Sequence, residues 1–318
     1  MARKFLVTGA AGFIGANLCR RLLESGGEVH AIVRPQSRRW RIAGIAADLC
    51  LHEGDIRDAD QVDRIFSSVR PDVVYHLATH GAYPYQDDGR EILITNVFGL
   101  WNLLHSANKV GYELFVNTGS SSEYGRKSFA MRESDVLDPN SFYAVAKCAQ
   151  SLLCQHMART NELPLVTLRP FSVYGPWEEP KRFIPTLMMA AIRNETIDMV
   201  SPKTARDFVY IGDVVDVYLL VDRLKNLRGE IINVGTGVQN TVAQALEATE
   251  QVIGRKINAC WGTMPARTWD TDVWVADVSK LYTLTGYTPR TTMKEGLARS
   301  LPWFRENARF YCSEGAVR

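Results

Sequence analysis

Short apolar, β-branched runs alternate with stretches of helical periodicity along this chain, and that alternation constrains the fold more than any other feature. The runs are Lys4 to Thr8, Glu28 to Val33, Leu49 to Glu53, Val73 to Leu77, Leu114 to Thr118, Leu165 to Arg169 and Glu230 to Val234. Helical patterns lie between them, among them Phe13 to Ser25, Ala59 to Ser68 and Ile92 to Lys109. Strand and helix repeated in this order require right-handed crossovers, so the expected fold class is α/β, a doubly wound parallel sheet. Its ligand crevice lies at the carboxyl ends of the strands.

After Pro176 the alternation loosens into a Pro/Glu-rich loop, Trp177 to Lys181, and a helix, Phe183 to Arg193. A chain of 318 residues can hold one large or two smaller domains. The expected division is a main domain over 1–175, rejoined by a return segment at about 206–237, and a smaller lobe from 176–205 and 238–318 that covers the crevice.

Hydrophobic residues at 46% and charged residues at 23% exclude a disordered, collagen-like or coiled-coil chain. The formal charge of +2 argues against a nucleic-acid scaffold. No apolar run reaches the roughly 18 residues a membrane span needs, and the N-terminus passes from Met-Ala-Arg-Lys straight into Phe5-Leu6-Val7. The six cysteines, at 19, 50, 148, 154, 260 and 312, lack CxxC spacing and read as reduced packing residues, which fits the cytoplasm. His76 and His80 are four apart, but His76 sits in a run that reads as a buried strand and its exit. They would not share a helix face, and no metal is assigned.

The first strand runs directly into Gly9-Ala-Ala-Gly12-Phe13-Ile14-Gly15 and a helix. Glycines at these positions permit a tight turn, close approach of backbone N–H groups to a diphosphate and tight helix-strand packing. The domain over 1–175 is therefore expected to bind a dinucleotide. A site for NAD places a carboxylate at the end of the second strand, to accept from the ribose hydroxyls. Here the segment is Val33-Arg34-Pro35-Gln36-Ser37-Arg38-Arg39, and Arg34 with Arg38 or Arg39 could clamp a 2′-phosphate, which favours NADP(H) over NAD. Asp55 and Ile56 are placed to meet the adenine, and Leu77, Ala78 and Thr79 to line the nicotinamide side.

Of the twelve tyrosines only Tyr143 has a lysine four residues on, Lys147, behind the turn and cap signal Asp138-Pro-Asn-Ser141. On a helix both side chains share one face, so the ammonium is expected to favour the tyrosinate and bring the phenol toward acid-base use. Ser120, Ser121 and Ser122, at the end of the preceding strand, would reach the same crevice.

With these segments the chain resembles the extended short-chain dehydrogenase/reductase family over nearly its full length. The motifs that carry the likeness are the Gly9/Gly12/Gly15 turn, Gly54-Asp55, His76-Leu77-Ala78, Ser120 to Gly125, Tyr143/Lys147, Arg169 to Pro176, Arg206-Asp207-Phe208-Val209 and Asn233 to Gly237. The resemblance implies a Rossmann-like domain and a homodimer. It implies that Tyr143 is the general acid/base, that Lys147 holds the nicotinamide ribose, that Ser120 binds the reacting sugar oxygen, and that Pro170 and Phe171 border the cofactor. It is strongest to members acting on nucleotide-diphosphate sugars, in which positions matching Arg206 and Arg267 grip the substrate diphosphate. His80, Tyr83 and Arg182 are further substrate candidates, as is Ser172, where family members commonly carry Asn.

Departures from the family pattern bear on the reaction. The 4,6-dehydratases follow the catalytic hydroxyl residue with Asp-Glu or Ser-Glu, because eliminating water needs a further acid and base. Here Ser121 and Ser122 stand there, and the carboxylate comes only at Glu123, so dehydration is disfavoured, as is an idle NADP-binding regulator. The expected reaction is NADPH-dependent reduction of the C4 ketone of a nucleotide-linked 4-keto-6-deoxy sugar, with a nucleotide-sugar 4-epimerase as the alternative. Arg34 favours the reductase, since reductases exchange NADPH with solvent.

Overall fold

The computed structural model describes residues 2–83, 85–264 and 271–311. Strands β1 (Lys4–Thr8), β2 (Glu28–Val33), β3 (Cys50–Glu53), β4 (Val73–His76), β5 (Leu114–Thr118) and β6 (Leu165–Pro170) match the expected runs within a residue, and so does the last sheet strand. Beyond them come β7 (Ser172–Tyr174), β8 (Ile197–Met199), β9 (Ala205–Arg206), β10 (Phe208–Tyr210) and β11 (Ile231–Val234). One parallel sheet runs in the order β11-β6-β5-β4-β1-β2-β3. Its inner strands are buried except for the first residue of β1 and of β2, while β3, at the edge, is half exposed. That is the burial expected of a sheet covered on both faces.

The helices include α1 (Phe13–Glu24), α2 (Ala59–Val69), α3 (Gly89–Leu93), α4 (Gly99–Val110), α5 (Phe142–Asn161), α6 (Phe183–Arg193) and α7 (Ile211–Tyr218). One apolar cluster packs α1 and α7 against one face of the sheet, and another packs α2, α4 and α5 against the other. A third core lies apart from the sheet, built from Leu187, Met188, Ile197, Ala245, Leu297 and Phe304 and closed by Tyr311.

The helix expected over 92–109 differs from the observed one. It is interrupted by a π-helical turn, Ile94–Phe98, between α3 and α4. The cysteines differ too: Cys19, Cys148 and Cys154 are buried packing residues, but Cys50 and Cys260 are exposed, because they lie on edge strands with one open face. Cys312 lies outside the described residues. Among the described residues no helix is long and apolar enough to cross a membrane, and no group of three or more His, Cys, Asp or Glu could hold a metal ion.

Candidate active site

The crevice begins at the glycine turn. Gly9 has φ +74°, and a Cβ on it would lie 2.5 Å from the Ala78 nitrogen; one on Gly15 would lie against the Gly9 carbonyl. Helix α1 opens on Gly12 with no side-chain cap and no acidic residue in its first turn, so its leading N–H groups face the crevice unscreened. This cradle fits a dinucleotide diphosphate.

At the end of β2, Arg34 and Arg38 are exposed. Arg39 is engaged by Glu53 at 2.6 Å, which narrows the expected 2′-phosphate clamp to the other two. Asp55 is gripped by Arg57 through Nε and Nη2, and this hydrogen bonding holds its carboxyl below the usual range despite partial burial. The Ile56 side chain is buried and packs beneath Gly99.

Beyond β4, the segment carrying Leu77, Ala78, Thr79 and His80 is pinned by a residue that sequence reasoning passed over. Asn96, in the π turn, accepts from the His80 N–H at 2.8 Å and from the Thr79 hydroxyl at 3.3 Å, and donates to the His80 carbonyl at 2.8 Å. Its own carbonyl accepts from Gln150 Nε2 at 2.8 Å. His76 lies under this loop between Thr8 and Gln150, and burial pushes its imidazole down to about 3, so it is a neutral packing residue.

Ser120 and Tyr143 come together. Ser120 lies two residues beyond β5, and its hydroxyl accepts from the Ser122 N–H at 3.1 Å; Ser141 caps α5 by accepting from the Ala144 N–H at 3.1 Å, which starts the helix in time to place Tyr143 on its first turn. The Tyr143 phenol is hydrogen-bonded to Ser120 and feels the positive charge of Arg182, yet burial outweighs both and raises its pKa. The expected stabilisation of the tyrosinate by Lys147 is not seen. The Lys147 nitrogen donates to the Thr118 carbonyl at 2.8 Å and passes 5.8 Å from the centre of the Tyr143 ring; burial pushes it down to about 8.

Glu123 is fully buried and turned away from the crevice. Its Oε2 meets Arg169 Nε at 2.9 Å and Nη2 at 2.7 Å, and its Oε1 accepts from the Ser120 N–H at 2.8 Å. Gly119 makes room, since a Cβ there would lie 2.6 Å from Glu123 Oε1. Arg169 also donates to Tyr124, which donates to Asn233.

The outer wall carries the remaining candidates. Ser121 accepts from the Trp274 indole at 3.2 Å, and the Arg206 guanidinium lies 5.6 Å from the Trp274 ring. Arg182 lies 5.3 Å over Tyr83 and donates to the Ala82 carbonyl at 3.2 Å, bridging the loop after β4 to the loop before α6. Pro170 and Phe171 are buried, Ser172 is half-buried and pairs with Phe208, and Arg267 lies outside the described residues.

A glycine cradle on a doubly wound parallel sheet, with a tyrosine, lysine and serine at the nicotinamide end, defines an enzyme of the extended short-chain dehydrogenase/reductase class. The chain belongs to the NAD dependent epimerase/dehydratase family, whose model matches residues 5–235. It is 26% identical to a probable UDP-glucuronate 4-epimerase of Rhizobium meliloti over 96% of this chain and 98% of that one. Among solved structures it is similar to UDP-glucose 4-epimerase of Thermotoga maritima with UDP-glucose (TM-score 0.87, 27% identity, 96% and 99% of the two chains). It is also similar to UDP-glucuronic acid 4-epimerase of Bacillus cereus with UDP-glucuronic acid and NAD (TM-score 0.84, 27% identity, 95% and 99%). Nucleotide-sugar 4,6-dehydratases also stand among its relatives. The likeness to ketoreductases is not supported, and the relatives favour the epimerase alternative.

Proposed function

We propose that this protein is a nucleotide-diphosphate-sugar 4-epimerase, acting on a UDP-linked hexose or hexuronate. The observation that carries this reading is the fate of Glu123. With its carboxylate held by Arg169 and serines at 121 and 122, the phenol of Tyr143 is the acid-base group beside Ser120, and elimination lacks its second one. One proton site suffices for moving a hydride off C4 and back.

The nicotinamide supplies the hydride acceptor and donor when bound. Tyr143 takes the proton from the C4 hydroxyl and later returns it, and Ser120 hydrogen-bonds the same oxygen in both alcohol and ketone. Lys147 orients the nicotinamide ribose. Arg206, beside Trp274, serves the diphosphate, while Arg182, Tyr83 and His80 face the sugar end.

Arg34 still supports NADP(H), because no carboxylate ends β2. Recognition of a 2′-phosphate selects the dinucleotide without deciding whether it leaves, so it no longer argues for a reductase. The sheet and its covering helices form the cofactor domain and the third core the substrate lobe. The unpaired thiols of the described cysteines support a cytoplasmic site. A homodimer through α4 and α5 is supported by Phe98, Trp101, Val145 and Leu152, apolar and exposed at helical spacing.

The test is incubation of purified protein with UDP-glucose and UDP-glucuronate, without added dinucleotide, and chromatography of the products. The 4-epimer is expected to form with no net change at 340 nm. Stoichiometric NADPH oxidation by a 4-keto sugar without epimer formation would return the assignment to a reductase.

A further inference from the structure

Segments far apart in sequence converge on the outer wall of the crevice, beside the adenosine end. Trp40 and Arg41 continue the loop that carries Arg34, Arg38 and Arg39. Arg41 is buried; its Nε donates to the Trp177 carbonyl at 2.7 Å and its Nη2 to Glu179 at 2.8 Å. The Trp40 ring lies 5.6 Å from Trp177 and 4.8 Å from Phe310. From α1, Arg20 donates to the Arg41 carbonyl and lies 4.0 Å over Trp177, and Asn17 donates to the Pro176 carbonyl at 3.0 Å. Trp177 sits at φ +71°, a left-handed conformation that a bulky residue keeps only when its surroundings impose it.

We infer that Trp40 and Arg41, bolted to Trp177 and Glu179, form a strap that keeps the adenosine half of the dinucleotide enclosed through the whole catalytic cycle. A loop anchored only at its ends could swing out and release a nucleotide lying against it. This loop is anchored in its middle, to the same segment whose Arg182 closes on Ala82, so the adenosine end cannot open without unpairing Arg41 from Glu179. That pair is only 8% and 23% exposed, and truncating one partner of such a pair acts chiefly on the dissociation rate. Arg41 is thus a positioning residue, acting on the dinucleotide through the loop. The inference rests on the epimerase reading in one respect: an enzyme that oxidises and re-reduces the same sugar gains from a dinucleotide that never leaves.

The experiment measures how fast dinucleotide dissociates from holoenzyme, loaded with NADPH or NADH and followed by nicotinamide fluorescence after dilution. Wild-type protein is compared with Arg41→Met and with Glu179→Gln, which keeps the side-chain shape. The wild type is expected to retain its nucleotide through many turnovers and gel filtration. Both variants should release it about 10- to 100-fold faster, with Arg41→Lys intermediate. Glu179→Gln should match the wild-type kcat at saturating dinucleotide while its epimerase activity without supplement becomes dependent on added dinucleotide, a split that a merely structural role would not produce. Wild-type retention with unchanged rates in the variants overturns the strap alone. A wild-type protein that releases dinucleotide at every turnover overturns the strap and the epimerase reading together.

Discussion

On the proposed reading Glu123 governs the chemistry by where its carboxylate points, and Arg169 holds it there. The displacement of this carboxylate by one position was legible in the sequence; its partner was not, because Arg169 reaches it across the sheet from another strand. Replacing Arg169 by Met leaves a buried charge unpaired and is expected to cost about 3–5 kcal/mol in chemical denaturation. Tyr143→Phe removes one oxygen and is expected to lower kcat by about 10²- to 10⁴-fold while dinucleotide binding, measured by fluorescence titration, stays unchanged. The direction of the Tyr143 shift could not be read from a four-residue spacing, since it is set by the burial of the phenol in the folded chain. Lys147 carries its own pH signature. Burial holds it near 8 against 10.5 in the unfolded chain, so the fold bears the full penalty of a buried ammonium below about pH 8. That penalty fades between 8 and 10.5, where the unfolded chain alone keeps the proton, and stability gains in that window. Activity moves the other way: kcat/KM should fall on the alkaline side near pH 8, and Lys147→Arg, which keeps its charge, should shift that limb upward.

Among the elements, the sheet strands were legible because each is a short run with its own boundaries, and α1 and α2 because their apolar stripes are local. The π turn was not. One extra residue in a helical turn barely alters an apolar pattern, whereas the carbonyl it presents to Gln150 and the side chain it aims at Thr79 and His80 are tertiary matters. The turn converts a sheet-covering helix into a brace for the nicotinamide-side loop. Asn96→Ala removes that brace and is expected to lower kcat/KM about tenfold or more through misplacement of the loop, with intact secondary structure by circular dichroism.

For the whole molecule, the glycine turn was readable because its determinants are contiguous; the smaller lobe was expected from 176–205 and 238–318, and the third core draws on both, but how those segments pack was not legible because side chains from Ile184 to Tyr311 share no local signal. The exposed apolar residues of α4 and α5 belong to this scale, since nothing among the described residues covers them. Sedimentation velocity is expected to show a dimer, and Trp101→Glu combined with Leu152→Glu a monomer. The order of the sheet also has a consequence in time. Its four strands nearest the amino terminus, with the glycine cradle, are complete once residue 76 has been made, whereas Phe310, which stacks on Trp40, is among the last residues described. During synthesis the glycine cradle can therefore assemble before its outer wall exists, and a dinucleotide taken up by the growing chain would be walled in only once residue 310 has been made.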